Sequence, residues 1–136
     1  MPITALYAAL LTPILLFLTF RVIGHRRAQR VEIGDGGDRE LLRRMRVHAN
    51  FIETVPMVLI LLALAESLKA PGILLHAIGL ALVTGRVLHA YGLAQEPHII
   101  RLRVAGMVLT LNSLIAVAIT CAVLALIHHD RLLRVW

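Results

Sequence analysis

Long runs without charge set the first limit on this chain. Residues 3–20 and 104–127 contain no Asp, Glu, Lys or Arg. Each run is long enough to cross a hydrocarbon core of roughly 30 Å as a helix of about 20 residues. A third run, 70–85, reaches that length once Arg86 and His89 are placed at the membrane boundary or inside a bundle. The fourth candidate, about 39–68, is apolar in its second half only; its first half carries Arg43, Arg44, Arg46, His48, Asn50 and Glu53. Only 16% of the residues are charged and they cluster between the apolar runs, so four helices of this kind have no charged outer face to offer water. The expectation is an all-α integral membrane protein, a single four-helix domain over 1–136 with spans near 3–27, 39–68, 72–93 and 102–128.

Breakers separate the spans. Gly34, Asp35, Gly36, Gly37 and Asp38 form a linker, and Asp38 is placed to cap the helix that follows. Pro71 with Gly72 makes the second turn, and Pro97, after Gln95 and Glu96, the third. Such short links imply antiparallel neighbours in an up-down-up-down bundle. The first apolar run has no basic residue before it and no small-residue cleavage pattern after it, so a retained helix is expected in place of a secretory signal.

Arginine outnumbers lysine thirteen to one and the net charge is +6. Without aromatic interleaving or a nucleic-acid motif, this charge is expected to meet lipid headgroups or an acidic small molecule, not nucleic acid. Arg21, Arg26, Arg27, Arg30, Arg39, Arg43, Arg44 and Arg46 flank the first connection, and Arg86, Arg101 and Arg103 the third. Lys69, Arg131 and Arg134 stand at the other ends. Eleven cations against three place the basic connections in the cytoplasm and both termini on the opposite side, with Trp136 and the terminal arginines as headgroup anchors.

At 100° per residue, Arg43, Arg46, Asn50 and Glu53 fall within about 80° of one another, while Arg44 and His48 point roughly the opposite way. Ionisable groups at membrane depth avoid lipid, so the stripe is expected to face the bundle interior, a neighbouring subunit or a wet cleft. A purely structural ion network is one reading of it. The stripe, however, holds more cations than one carboxylate neutralises, and such an excess suits an anionic ligand held by paired guanidinium hydrogen bonds.

The stretch Arg43-Arg44-Met45-Arg46-Val47-His48-Ala49-Asn50-Phe51-Ile52-Glu53-Thr54-Val55-Pro56 resembles the signature of the membrane-associated proteins in eicosanoid and glutathione metabolism (MAPEG), which include the microsomal glutathione transferases: Arg, Asn four later, Glu three later, then Pro. Residues 21–31 and 85–90 are similar to the family as well. The resemblance implies a homotrimer that binds glutathione as co-substrate between subunits near the cytoplasmic face. Its site would draw on Arg26, Arg27, Arg43, Arg46, His48, Asn50, Glu53, Arg86, His89 and Tyr91. Arg26, Arg46 and Arg86 would meet carboxylates, Glu53 the ammonium and Asn50 the peptide. Arg103, or Arg101, would favour the thiolate for attack on a lipophilic electrophile or lipid hydroperoxide, in a bacterial inner membrane. The family places a tyrosine seven residues after the third-helix arginine; here that position is Leu93, and Tyr91 lies about 200° away around the helix.

The remaining polar residues suggest no chemistry of their own. His128, His129 and Asp130 lack metal-ligand spacing and fit a solvated helix end, so no metal is expected. His76 reads as a buried hydrogen-bonded histidine, His89 as a cleft neighbour or an internal hydrogen-bond partner, and Cys121 as a small apolar side chain. Ser67, Thr110, Ser113 and Thr120 read as partners for backbone carbonyls. Besides the transferase or peroxidase, two functions are compatible with these residues: a trimer that binds an anionic lipid or another thiol without chemistry, and a small transporter or channel. The transporter fits least, because the charges gather near one face.

Overall fold

The computed structural model of the chain describes residues 1–95 and 99–133, with backbone alone at 94 and 130–133. Glu96 and Pro97, and the anchors Arg134 and Trp136, lie outside the described residues, as does the side chain of Arg131. All regular structure among the described residues is helical: α1 (Pro2–Gln29), α2 (Arg39–Ser67), α3 (Gly72–Ala94) and α4 (Ile100–Leu133). Each is long and apolar enough to cross a membrane.

The helix ends follow from local chemistry. Pro2 stands in the first turn of α1, where its missing N–H costs nothing. Glu66, at the far end of α2, reaches across and accepts from the backbone N–H groups of Ile3 (3.0 Å) and Thr4 (2.9 Å) and from the Thr4 hydroxyl (2.7 Å). α1 stops where Arg30 turns left-handed (φ 56°) and Val31 N–H bonds back to the Arg26 carbonyl. Asp38 caps α2 as its composition predicts: Oδ1 accepts from the N–H groups of Glu40 (2.8 Å) and Leu41 (3.1 Å), while Oδ2 lies 2.7 Å from His25 Nε2.

α2 and α3 each pack against every other helix, whereas α1 and α4 do not touch among the described residues. The core therefore runs between the central pair and their neighbours, from Leu11 and Leu18 of α1 through Phe51, Val58 and Leu62 of α2 to Leu75 and Leu82 of α3 and Val117 of α4. Outward lie Phe20, Ile60, Ile73 and Leu126, all more than half exposed and suited to acyl chains. Four hydroxyls close onto backbone carbonyls as their positions predict: Ser67 to Leu64, Thr110 to Gly106, Ser113 to Leu109 and Thr120 to Ala116. The buried reading of His76 needs correction. It is exposed, because it faces outward from the first turns of α3, and it keeps Tyr7 as partner, whose hydroxyl lies 3.1 Å from Nδ1 and donates to the His76 carbonyl.

α3 and α4 approach backbone to backbone, and glycine makes this possible. A Cβ on Gly106 would stand 2.6 Å from His89 N, and one on Gly85 would stand 2.9 Å from Gly106 O. This contact sets Arg86 and His89 of α3 beside the first turns of α4.

Two measurements test these statements. Gly106→Val should destabilise the protein by about 1–3 kcal/mol in a reversible detergent unfolding assay, as overpacking does. Gly24→Ala, where a Cβ meets nothing within 4 Å, should be neutral or mildly stabilising. Equal effects would disprove the close approach. The His25 hydrogen bond, followed by the Leu41 N–H, holds the Asp38 carboxyl below its usual range. A depressed carboxyl stabilises the fold above its unfolded-state value and loses that contribution as pH falls through the folded one. Between about pH 5 and pH 2 the melting temperature of the native protein should therefore fall further than that of Asp38→Asn; parallel curves would remove Asp38 from the acid response.

Candidate anion-binding cleft

One turn after its cap, α2 begins to present its polar stripe. Arg43, Arg46 and Asn50, with Leu42 and Val47, form one wall of a cleft of about 340 Å³ whose other walls are His89 and Leu93 of α3 and Arg103 and Met107 of α4. That volume lies at the lower end of the range for small-molecule sites. Among these lining residues there is no acid.

Behind the cleft lies Arg86, only 2% exposed and the largest fully buried side chain of the described residues. Its partners are all neutral. Nη1 donates to Asn50 Oδ1 (2.8 Å) and Thr54 Oγ1 (3.2 Å), and Nη2 to the sulfur of Met107 (3.8 Å). Nε is buried with no acceptor. Thr54 is held in place by donating to the Asn50 carbonyl one turn earlier. A guanidinium away from water and without a carboxylate is costly, because neutral dipoles replace only part of its hydration. His89, 5% exposed, joins α3 to α4 through Nδ1 and the Arg103 carbonyl (3.3 Å), so it both borders the cleft and makes an internal hydrogen bond.

The acidic groups nearby serve other cations. Glu40 meets Arg44 Nε at 2.8 Å, Arg43 Nη2 at 3.1 Å and Arg21 Nη2 at 3.9 Å, and Asp38 meets His25. Arg46 and Arg103 are exposed and, with Arg86, have no carboxylate partner among the described residues. The cleft thus gathers positive charge around a mouth lined by Arg43, Arg46 and Arg103, of which Arg46 and Arg103 have no carboxylate partner among the described residues, a setting for a small molecule with more than one acidic group.

Of the residues singled out by sequence, Arg43, Arg46, Asn50, His89 and Arg103 line the cleft, and Arg86 bonds to its wall. The others lie elsewhere in the protomer. Arg26 donates to the Glu32 carbonyl (3.0 Å) and to Met45 sulfur (3.4 Å), on the α1–α2 side, and Arg27 is exposed. His48 pairs with the Thr19 hydroxyl of α1 at 3.1 Å, on the opposite face of α2 as its phase requires. Glu53 is exposed and unpartnered among the described residues, and Arg101 is exposed outside the lining. Tyr91 lies on the far side of α3, in an apolar groove with Pro13, Ile14 and Phe17, while Leu93 faces the cleft. Sequence reasoning missed Glu40, whose signal is its spacing of three and four before Arg43 and Arg44. It also missed Met107 and Thr54, whose roles depend on where Arg86 reaches.

Fold and site together define an integral membrane helical protein with a guanidinium-lined cleft at one end of the bundle. The chain matches the MAPEG family over residues 4–123 and belongs to it, confirming the resemblance of the α2 signature. That family includes glutathione transferases and related proteins. The inner membrane protein YecN, in two strains of Escherichia coli, is 35% identical over 105 residues, spanning 77% of this chain and 79% of its own length.

Asn50→Ala should cost about 2 kcal/mol of stability, because it removes the shortest acceptor from a buried cation. Glu53→Gln should stay within about 0.5 kcal/mol, as unpaired exposed sites do. Reversible unfolding in detergent measures both, and a neutral Asn50→Ala would contradict the arrangement around Arg86.

Proposed function

We propose that the protein is a glutathione-binding membrane enzyme, a glutathione S-transferase, a lipid hydroperoxide peroxidase or both, working as a homotrimer of up-down-up-down bundles. The observation that carries this reading is a cleft walled by Arg43, Arg46 and Arg103, backed by Arg86 without a carboxylate, in a chain of this family. Glutathione offers two carboxylates, one ammonium and one thiol. Arg46 takes a carboxylate at the mouth, Arg86 adds its charge from behind Asn50, Asn50 takes the peptide, and Arg103 the sulfur. Glu53 and Arg26, outside the cleft of a single protomer, complete the site across the seam between copies, Glu53 at the ammonium. The basic connections face the cytoplasm of a bacterial inner membrane and the termini the other side.

The chemistry asked of the cleft is to favour the thiolate. A free cysteine thiol has a pKa of about 8.5, and an adjacent guanidinium lowers it by stabilising the anion. The thiolate sulfur then bonds to an electrophilic carbon as a leaving group departs with its electron pair. With a lipid hydroperoxide it takes the distal oxygen as the O–O bond breaks and the alcohol leaves once protonated; a second glutathione thiol then attacks the resulting sulfenic acid, the S–O bond breaks, and water departs as the disulfide forms. The lipophilic partner arrives from the bilayer.

Leu93 favours a second reading, a trimer that binds the thiol or an anionic lipid without turnover, since the family's tyrosine position faces the cleft as a hydrocarbon. Conjugation of glutathione to a chlorinated nitroaromatic by the purified protein separates the two. The expected result is turnover that falls by at least about tenfold in Arg103→Ala and Arg46→Ala, as loss of a charge-stabilising donor does. Glutathione binding without turnover on any electrophile or hydroperoxide would establish the second reading, and Leu93→Tyr would then be expected to restore activity.

A further inference from the structure

We propose that Glu40 is a positioning residue for the cleft, fixing the Arg43 guanidinium at its mouth. The inference rests on the reading of the cleft as a site for an acidic ligand and extends it to a residue outside the lining. Glu40 stands in the first turn of α2, where an acid is also favoured by the helix dipole. That preference does not explain how its oxygens are divided. Oε1 serves Arg44 and Arg21, and Oε2 serves Arg43. Arg44 is further fixed by donating to the Arg21 carbonyl at 3.3 Å.

Arg43 is the link to the ligand. A small cavity lined by Arg21, Glu40, Arg43 and Arg44 adjoins the cleft, and Arg43, Val47 and Leu93 line both spaces. One end of the Arg43 guanidinium is therefore engaged from behind, while the same side chain lines the mouth. Arg46 and Arg103 have no such carboxylate among the described residues, so Glu40 pre-orders one cleft arginine. A long side chain already held in place loses less rotamer freedom when a ligand binds. Glu40 does not cancel the field of the cleft, because three guanidinium groups share its single charge. Without it these groups repel one another, and Arg43 turns away.

Two measurements on the full-length protein in detergent decide the matter. The first is modification by phenylglyoxal, a guanidinium reagent, followed residue by residue by mass spectrometry. Arg43 should react about fivefold faster in Glu40→Gln while Arg103, which makes no ion pair with Glu40, keeps its rate. An unchanged Arg43 rate would overturn the proposal. The second is calorimetry with glutathione as the probe. Glu40→Gln should weaken binding about fivefold, Glu40→Asp less, and Glu40→Gln should add nothing in an Arg43→Gln background. Additive losses, or tighter binding in Glu40→Gln, would show that Glu40 does not act through Arg43. If native protein does not bind glutathione at all, the proposed function fails, and the modification rates alone decide the role of Glu40.

Discussion

A cation buried among neutral groups governs this structure. Arg86 gives its Nη1 to an amide oxygen and a hydroxyl and its Nη2 to a thioether, and its Nε to nothing. In a membrane such a group does not spread its charge into solvent, and a single carboxylate would relieve it. Among the described residues the nearby acids do not serve it: Glu40 is taken by three other arginines, and Glu53 is exposed on α2. The electrostatic demand is therefore directed towards the cleft.

Two features of the fold hold that demand in place. The Gly85–Gly106 contact brings α3 and α4 close enough for His89 to meet the Arg103 carbonyl and for Arg86 to reach Met107. The central position of α2 lets one face of it bind α1, through Arg44 and His48, while the other carries Arg43, Arg46 and Asn50 into the cleft. A residue on the wrong phase is thus spent on packing, however basic it is. Glu66 and Asp38 secure helix starts at opposite ends of α2 and stand apart from the cleft.

Much of this was legible in the sequence, and the division has a physical basis. Relations within one helix are fixed by a rotation of 100° per residue. Of the stripe Arg43, Arg46, Asn50 and Glu53 the first three line the cleft while Glu53 is exposed outside it, and the opposite facing of Arg44 and His48 and the separation of Leu93 from Tyr91 could be read directly. The Asp38 cap and the four apolar helices were equally legible, because capping and hydropathy are local. Relations between helices were not. That Arg86 would choose Asn50 and Met107, that Arg26 would turn to Met45, and that Glu40 would gather arginines from two helices all depend on packing distances. The outward turn of His76 was misread for the same reason: an apolar run shows that a helix is membrane-embedded, but not which face its neighbours cover.

The central claim is that uncompensated guanidinium charge makes this cleft a receptor for carboxylates. Calorimetry of the purified protein with glutathione and with its diethyl ester tests it most directly, since the two share the thiol, the ammonium and the peptide and differ in both acidic groups. Saturable binding of glutathione and none of the ester is the predicted result. Equal affinity for the two, or binding of neither, would contradict it.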